Sequence, residues 1–236
     1  MKRNGGNRIA VLWDLDGVII DTAEFHFAAW RRVFEKRGIN YTKAIFKKSF
    51  GRRNETVIPV VMGKNVSRGE VMAIAREKEG IFRRLSKNKI RPFPGAIDLI
   101  RKLSENGVRM ALVTSTPARN IKAVLGGLGI IDLFQTVISG EDVKQGKPAP
   151  EGYLLAAERL GVSPENCVVI EDSTPGVSAA KNAGMRCIAI TNTRPGSRLK
   201  RADLVIDSLE EIVVESLERM TRRETRNTNT EIPNKF

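Results

Sequence analysis

Two carboxylates separated by one residue, in Asp14-Leu15-Asp16-Gly17, follow directly on the apolar run Ile9 to Trp13. On an extended chain, residues two apart face the same side, so Asp14 and Asp16 can act on one ligand. Three further groups of the right type occur: Thr114-Ser115, Lys147 within Gln145-Gly146-Lys147-Pro148-Ala149-Pro150, and Glu171-Asp172. Taken singly, each has an ordinary explanation, because a terminal Thr often only caps a helix and a loop lysine is usually solvated. Their combination does not, since clustered carboxylates repel unless a cation lies among them. A hard divalent ion with oxygen ligands suits such a set. Magnesium (Mg2+) is the expected one, because it commonly pairs one or two carboxylates with phosphate and water.

The elements that must position these groups are legible as apolar, often β-branched runs: Ile9 to Trp13, Met110 to Thr114, Thr136 to Ser139, Cys167 to Ile170, Cys187 to Thr191 and the shorter Leu204 to Ile206. Helical spacing fills most intervals, at Ala96 to Asn106, Ala118 to Leu128, Glu151 to Leu160 and Gly176 to Ala183, each closed by a nearby glycine. Strands alternating with helices predict an α/β fold, a Rossmann-like parallel sheet with helices on both faces. Ligands bind beyond the carboxyl ends of such strands, which is where Asp14, Thr114 and Glu171 fall. From Asp21 to Phe93 the alternation lapses into a helical pattern with no convincing strand, too long for a simple crossover. The expected organisation is a core of residues 1–20 and 94–220, an inserted small α-helical cap of residues 21–93 returning through Arg91-Pro92-Phe93-Pro94-Gly95, and a polar, disordered tail at 221–236.

Composition narrows the classes. The chain has 236 residues, 41% of them hydrophobic, enough for a substantial core. No apolar run nears the roughly 20 residues that span a bilayer, and Met1 to Arg8 lacks the apolar stretch of a signal peptide, so no membrane association and a cytoplasmic location are expected. Cys167 and Cys187 sit in or beside strand-like runs and read as buried free thiols. The net charge of +13 is confined to one segment: residues 31–91 hold 18 Lys and Arg against 5 Asp and Glu, and the remainder carries 22 of each sign. That patch reads as solvated helix faces, although a positive field also attracts anions. It has few aromatics and matches no nucleic-acid motif, so nucleic acid is not an expected partner.

In order along the chain, Asp14-Leu15-Asp16-Gly17-Val18, Thr114, Lys147 in Lys-Pro-Ala-Pro, and Glu171-Asp172 followed by Ser-Thr-Pro-Gly-Val resemble the four motifs of the haloacid dehalogenase-like (HAD) hydrolases. The match is to the branch with a small helical cap that includes β-phosphoglucomutase and many sugar-phosphate phosphatases, and it runs from Ile9 to about Ile206. The resemblance implies that Asp14 attacks phosphorus and forms an aspartyl phosphate, and that Asp16 serves as acid and then base. It also implies that Thr114 hydrogen-bonds the phosphoryl group and that Lys147 offsets its charge. Mg2+ would be held by Asp14, the Asp16 carbonyl and Asp172, with Glu171 assisting directly or through water. The implied activity is Mg-dependent hydrolysis of a small phosphorylated metabolite, a sugar phosphate or a phosphoglycolate-like acid; the sequence leaves the oligomeric state open, with a monomer favoured.

Within the cap the resemblance implies substrate contacts from Thr22, His26, Arg52, Arg53, Asn54 and Lys78, with Ser115 from the core. Thr22 and His26 are four apart and share a helix face. Asn54 aligns with the phosphate-gripping arginine of the mutase; alternatively it caps a helix starting at Glu55. Thr116 reads as the cap of a helix with Pro117 in its first turn, whose free N–H groups suit an anion. Two other functions remain open at this level. One is a β-phosphoglucomutase-type phosphomutase, disfavoured by Asn54; the other is a noncatalytic anion- or nucleic-acid-binding protein working through the basic segment.

Overall fold

The computed structural model of the protein describes residues 9–63 and 65–221. Six parallel strands form the main sheet: β1 (Ala10–Trp13), β4 (Arg109–Val113), β5 (Thr136–Ile138), β6 (Cys167–Glu171), β7 (Arg186–Ile190) and β8 (Leu204–Ile206), in the order β5-β4-β1-β6-β7-β8. All six coincide with the apolar runs read from the sequence to within a residue or so. The chain moves outward from β1 to β5, then returns to build the other half from β6. This reversal flanks β1 and opens a crevice at the carboxyl ends of β4, β1 and β6.

Every residue of β1 is fully buried, as expected for a central strand covered on both faces. Alternation divides its side chains. Val11 and Trp13 join a cluster with α5 (Ala96–Glu105), α6 (Ala118–Leu125) and α9 (Val214–Thr221), while Ala10 and Leu12 join one with α7 (Glu151–Leu160) and α8 (Thr174–Asn182). Cys167 and Cys187 are buried free thiols, held protonated by burial. No described helix is long and apolar enough to cross a membrane.

Four helices occupy the interval after β1: α1 (Ala23–Glu35), α2 (Lys43–Ser49), α3 (Asn54–Met62) and α4 (Arg68–Ser86). They enclose their own apolar cluster, built on Trp30, Phe34, Tyr41, Phe46 and Ile58. One expectation is corrected here. The insert is not wholly helical, because β2 (Ile20–Asp21) pairs antiparallel with β3 (Arg91–Pro92) where the chain leaves and re-enters the sheet domain. Two-residue strands carry no periodicity by which sequence could reveal them, and Pro92 is tolerated at such an edge. A second correction falls at the C-terminal end, where Thr221 closes α9 and does not open a tail; the rest of the expected tail, residues 222–236, lies outside the described residues.

The joint between β6 and α8 is the tightest packing near the crevice. A Cβ on Gly176 would lie 1.6 Å from Oε1 of the fully buried Glu171, whereas one on Gly127 would meet nothing within 4 Å. Gly176→Ala is therefore expected to lower stability by about 1–3 kcal/mol in chemical denaturation, and Gly127→Ala to stay within about 0.5 kcal/mol of the parent.

Candidate active site

The crevice is organised around a buried ammonium group. Lys147 Nζ lies 2.7 Å from Asp14 Oδ1, 2.6 Å from Glu171 Oε1 and 3.2 Å from the Val113 carbonyl, so one cation ties together the ends of β1, β4 and β6. Glu171 is saturated with donors. Its Oε1 also accepts from Tyr153 Oη at 3.0 Å, and its Oε2 accepts from the Asp172 and Ser173 N–H groups and from Ser173 Oγ, each at 2.9 Å. Burial opposes its ionisation, but Lys147 and Ser173 hold its pKa below the ordinary value. Burial likewise opposes the charge on Lys147, which Asp14 and Glu171 nevertheless secure.

Asp14, Glu171 and Asp172 place ligand oxygens within 4.8 Å of one another, and all three are buried. Three carboxylates against one ammonium leave an excess of two negative charges. The strain of that excess is visible in the acidities. Burial raises Asp14 to about 7, Lys147 opposing and Glu171 adding to the rise, and burial with the charges of Glu171 and Asp14 pushes Asp172 well above its usual range. An all-oxygen donor set with two uncompensated charges fits a hard divalent cation. Gly17 closes one side of this cluster: its φ is +96°, and a Cβ there would lie 2.2 Å from Asp172 Oδ2. Only glycine meets both constraints.

Asp16 is held apart from the lysine by neutral donors. Thr22 Oγ1 donates to its Oδ1 at 2.5 Å, Thr116 Oγ1 to its Oδ2 at 2.6 Å, and His26 Nε2 approaches Oδ1 at 3.3 Å. Burial alone would raise its pKa, but these donors, His26 foremost, bring it to about 2. The histidine tautomer follows from its other side. Lys78 Nζ, which can only donate, sits 2.8 Å from His26 Nδ1, so the ring proton is on Nε2 and points at Asp16. Burial and the Lys78 charge lower the His26 pKa and keep the ring neutral. Stacking on Phe82, with centroids 4.0 Å apart, fixes its plane.

Behind Lys78 lies Glu79, buried, accepting from Lys78 Nζ at 2.8 Å, Asn54 Nδ2 at 2.9 Å and Asn120 Nδ2 at 2.5 Å. Together with Asp16, His26, Lys78, Arg52, Ser115 and Thr116, it lines a cavity of about 40 Å³. Sites for small ligands run to about 300–1,000 Å³, which this cavity does not reach with the insert where it lies.

Most residues singled out in the sequence converge on this crevice, some in unforeseen ways. Asn54 is no cap: α3 begins at Asn54 itself, Arg53 is the flanking residue without a side-chain cap bond, and the Asn54 amide is spent on Glu79. Thr116 is no cap either. Pro117 flanks α6, and the Thr116 hydroxyl serves Asp16. Arg53 donates to the carbonyls of Val143 and Lys144 at 3.0 and 3.1 Å, tying the insert to the loop that carries Lys147. Ser115 Oγ spans the same seam to the Gly51 carbonyl at 2.9 Å. Thr114 lies buried at the end of β4, its Oγ1 accepting from the Thr116 N–H at 3.1 Å. Tyr153, Glu79, Asn120 and Thr193, whose hydroxyl donates to Asp172 Oδ2, were not foreseen. Tyr153, Asn120 and Thr193 lie 18, 41 and 21 residues from their partners, whereas Glu79, adjacent to its partner Lys78, carried a positional clue.

The sequence profile of the haloacid dehalogenase-like hydrolases matches residues 11–190. A phosphorylated carbohydrates phosphatase of Thermotoga maritima is 37% identical over 186 residues, covering 76% of this chain and 83% of that protein. The β-phosphoglucomutase of Bacillus subtilis is 32% identical over 218 residues, covering 88% and 93%. The crystal structure of a β-phosphoglucomutase from Clostridium difficile superposes with a TM-score of 0.79 at 30% identity, over 90% of this chain and 96% of that one. With the four motifs gathered at the ends of β1, β4 and β6, these similarities establish that the chain belongs to the haloacid dehalogenase-like hydrolases, in the β-phosphoglucomutase-like branch.

Proposed function

We propose that the protein is a phosphatase that hydrolyses sugar or polyol monophosphates through a covalent phosphoryl intermediate on Asp14. The observation that carries this reading is the Lys147 ammonium bridging Asp14 and Glu171 beside an uncompensated carboxylate cluster, an arrangement suited to a dianionic phosphoryl group and a divalent cation. Asp14 attacks phosphorus in line, and Lys147 with the Thr114 hydroxyl neutralises charge on the transferring group. Asp16, steered by Thr22, Thr116 and His26 and ionised in the free site, takes up a proton when the dianionic phosphoryl group enters beside it, passes that proton to the leaving oxygen and then accepts the proton of the water that frees Asp14. Asp14, the Asp16 carbonyl and Asp172 would hold Mg2+, and Glu171, its oxygens already filled by donors, supports them through its charge and through the Asp172 N–H. When bound, the ion supplies Lewis-acid neutralisation of phosphoryl oxygens. Residues 21–93 act as a cap that opens for substrate and closes to exclude water over a core of residues 1–20 and 94–220.

The far wall of the cavity favours a neutral leaving group. Its charged lining consists of Asp16, Lys78, Glu79 and Arg52, two of each sign, so no surplus cation awaits a second phosphate or a carboxylate. Beside them, Asn54, Ser49 and Ser115 supply neutral polar groups that suit hydroxyls. This ranks sugar and polyol monophosphates above phosphoglycolate-like acids. Overall similarity to β-phosphoglucomutases supports a second reading, a mutase, which must grip a distal phosphate while the sugar turns over. Asn54 at the position aligned with the mutase's arginine, engaged to Glu79, favours hydrolysis.

Phosphate release from sugar phosphates, polyol phosphates, phosphoglycolate and nucleotides, with magnesium or with chelator, tests the assignment. Release should require the metal and fall at least 1,000-fold in Asp14→Asn; turnover only on adding a sugar bisphosphate, with little free phosphate, would replace hydrolysis by the mutase. Thr116→Val should lower kcat about 10- to 100-fold by removing a donor to the Asp16 carboxylate, with KM and melting temperature unchanged and activity restored in Thr116→Ser. Glu79→Gln should raise kcat/KM for a sugar bisphosphate relative to the monophosphate by about tenfold or more, because a like charge is removed from the far wall. An unchanged ratio would deny Glu79 that selective role.

A further inference from the structure

A second groove, of about 630 Å³, opens on the molecular surface beside the crevice. Its charged lining is of one sign: Lys47 and Lys48 from the last turn of α2, Arg52 from the loop before α3, and Arg194 and Arg198 from the segment after β7, with no Asp or Glu. None of these five side chains makes an ion pair among the described residues, whereas elsewhere on the insert Lys36 and Arg37 pair with Glu77 and Lys43 with Glu24. Arg194 donates instead to the Lys47 carbonyl, which brings the two cationic groups together across the seam between insert and core. The groove also runs past Thr174 and Ser178, in the first turns of α8, where the helix dipole adds positive potential.

Five like charges converging in one concavity repel one another, a cost that an anion would relieve. We infer that this groove is a binding site for a compact polyphosphate anion, adjoining the catalytic cavity, with which it shares Arg52, and bridging the helical insert to the core. The size of the groove is that of a small-ligand site. A nucleic-acid strand would use stacking platforms, and the one aromatic of the lining, Phe50, is only 9% exposed and packs into the insert's own cluster. The absence of carboxylates from the lining makes binding independent of divalent metal, unlike binding at the crevice. Three of the cations belong to the insert and two to the core, so a bound anion favours the closed arrangement.

Titration calorimetry with inorganic tripolyphosphate in chelator, at low and moderate salt, tests this without reference to hydrolysis, so its outcome is separate from that of the catalytic assignment. The parent should bind one equivalent. The double variant Lys48→Glu/Arg198→Glu, at two exposed positions and with melting temperature as a check on folding, should bind at least tenfold more weakly, while Asp14→Asn should match the parent within about twofold. Equal binding by the double variant, or a larger change in Asp14→Asn than in the charge reversal, would place the anion elsewhere and overturn the inference. Tighter binding of an oligothymidylate than of tripolyphosphate, lost on the same charge reversal, would overturn it in favour of a strand.

Discussion

The structure depends on keeping one ammonium group charged inside a protein. Lys147 is almost wholly withdrawn from water, and a lone buried cation would shed its proton or unfold its surroundings. It is tolerable only because Asp14 and Glu171 reach it from two strands, and these in turn need their own partners. Glu171 accordingly recruits Tyr153 from α7 and the Ser173 turn at the start of α8, and Gly176 must lack a side chain to let the carboxylate in. The strand order follows the same requirement, since the reversal on either side of β1 is what lets β1, β4 and β6 deliver their ends to one point.

That neutralisation is incomplete by design of the donor set. One ammonium serves three carboxylates, and the residual charge falls on Asp14 and Asp172, whose affinities for protons are raised first by burial and further by the neighbouring carboxylates. Asp16, five residues before the insert, experiences the opposite environment, with hydroxyl and imidazole donors that hold it ionised in the free site. Two aspartates in one motif thus acquire different proton affinities from different neighbours.

Coupling between the insert and the crevice passes through side chains at the seam. Thr22 and His26 belong to the insert yet orient Asp16; Arg53 and Ser115 bridge it to the Lys147 loop and to β4; Asn120 of α6 links Glu79 to Arg83 of α4. The proposed opening of the insert would part these contacts and take two donors, Thr22 and His26, from Asp16. The contacts leave between insert and crevice a cavity of only about 40 Å³.

The core was legible because a buried parallel strand must be a nearly continuous apolar run, and a strand end must change abruptly to polar residues if it is to meet a ligand. Asp14, Thr114 and Glu171 stood at such changes, and the motif glycine Gly17 stood where backbone and space both demand it. The basic stretch, in contrast, looked uniform in sequence; folding turned Lys78 inward to His26 and Glu79, spent Arg53 on two carbonyls, paired several lysines and arginines at the surface, and left five cations facing one groove. Thr116 and Asn54 looked like helix caps because short polar residues before a helix usually are, and their long-range partners outbid that local use. What the sequence by itself determined was the order of elements, the residue types at strand ends and hence the chemistry available, all of which depend on local patterning. Only the tertiary structure decided which carboxylate pairs with Lys147, which donors hold Asp16 and what faces the leaving group, because those depend on partners dozens of residues apart whose burial makes each unpaired charge too costly to leave alone.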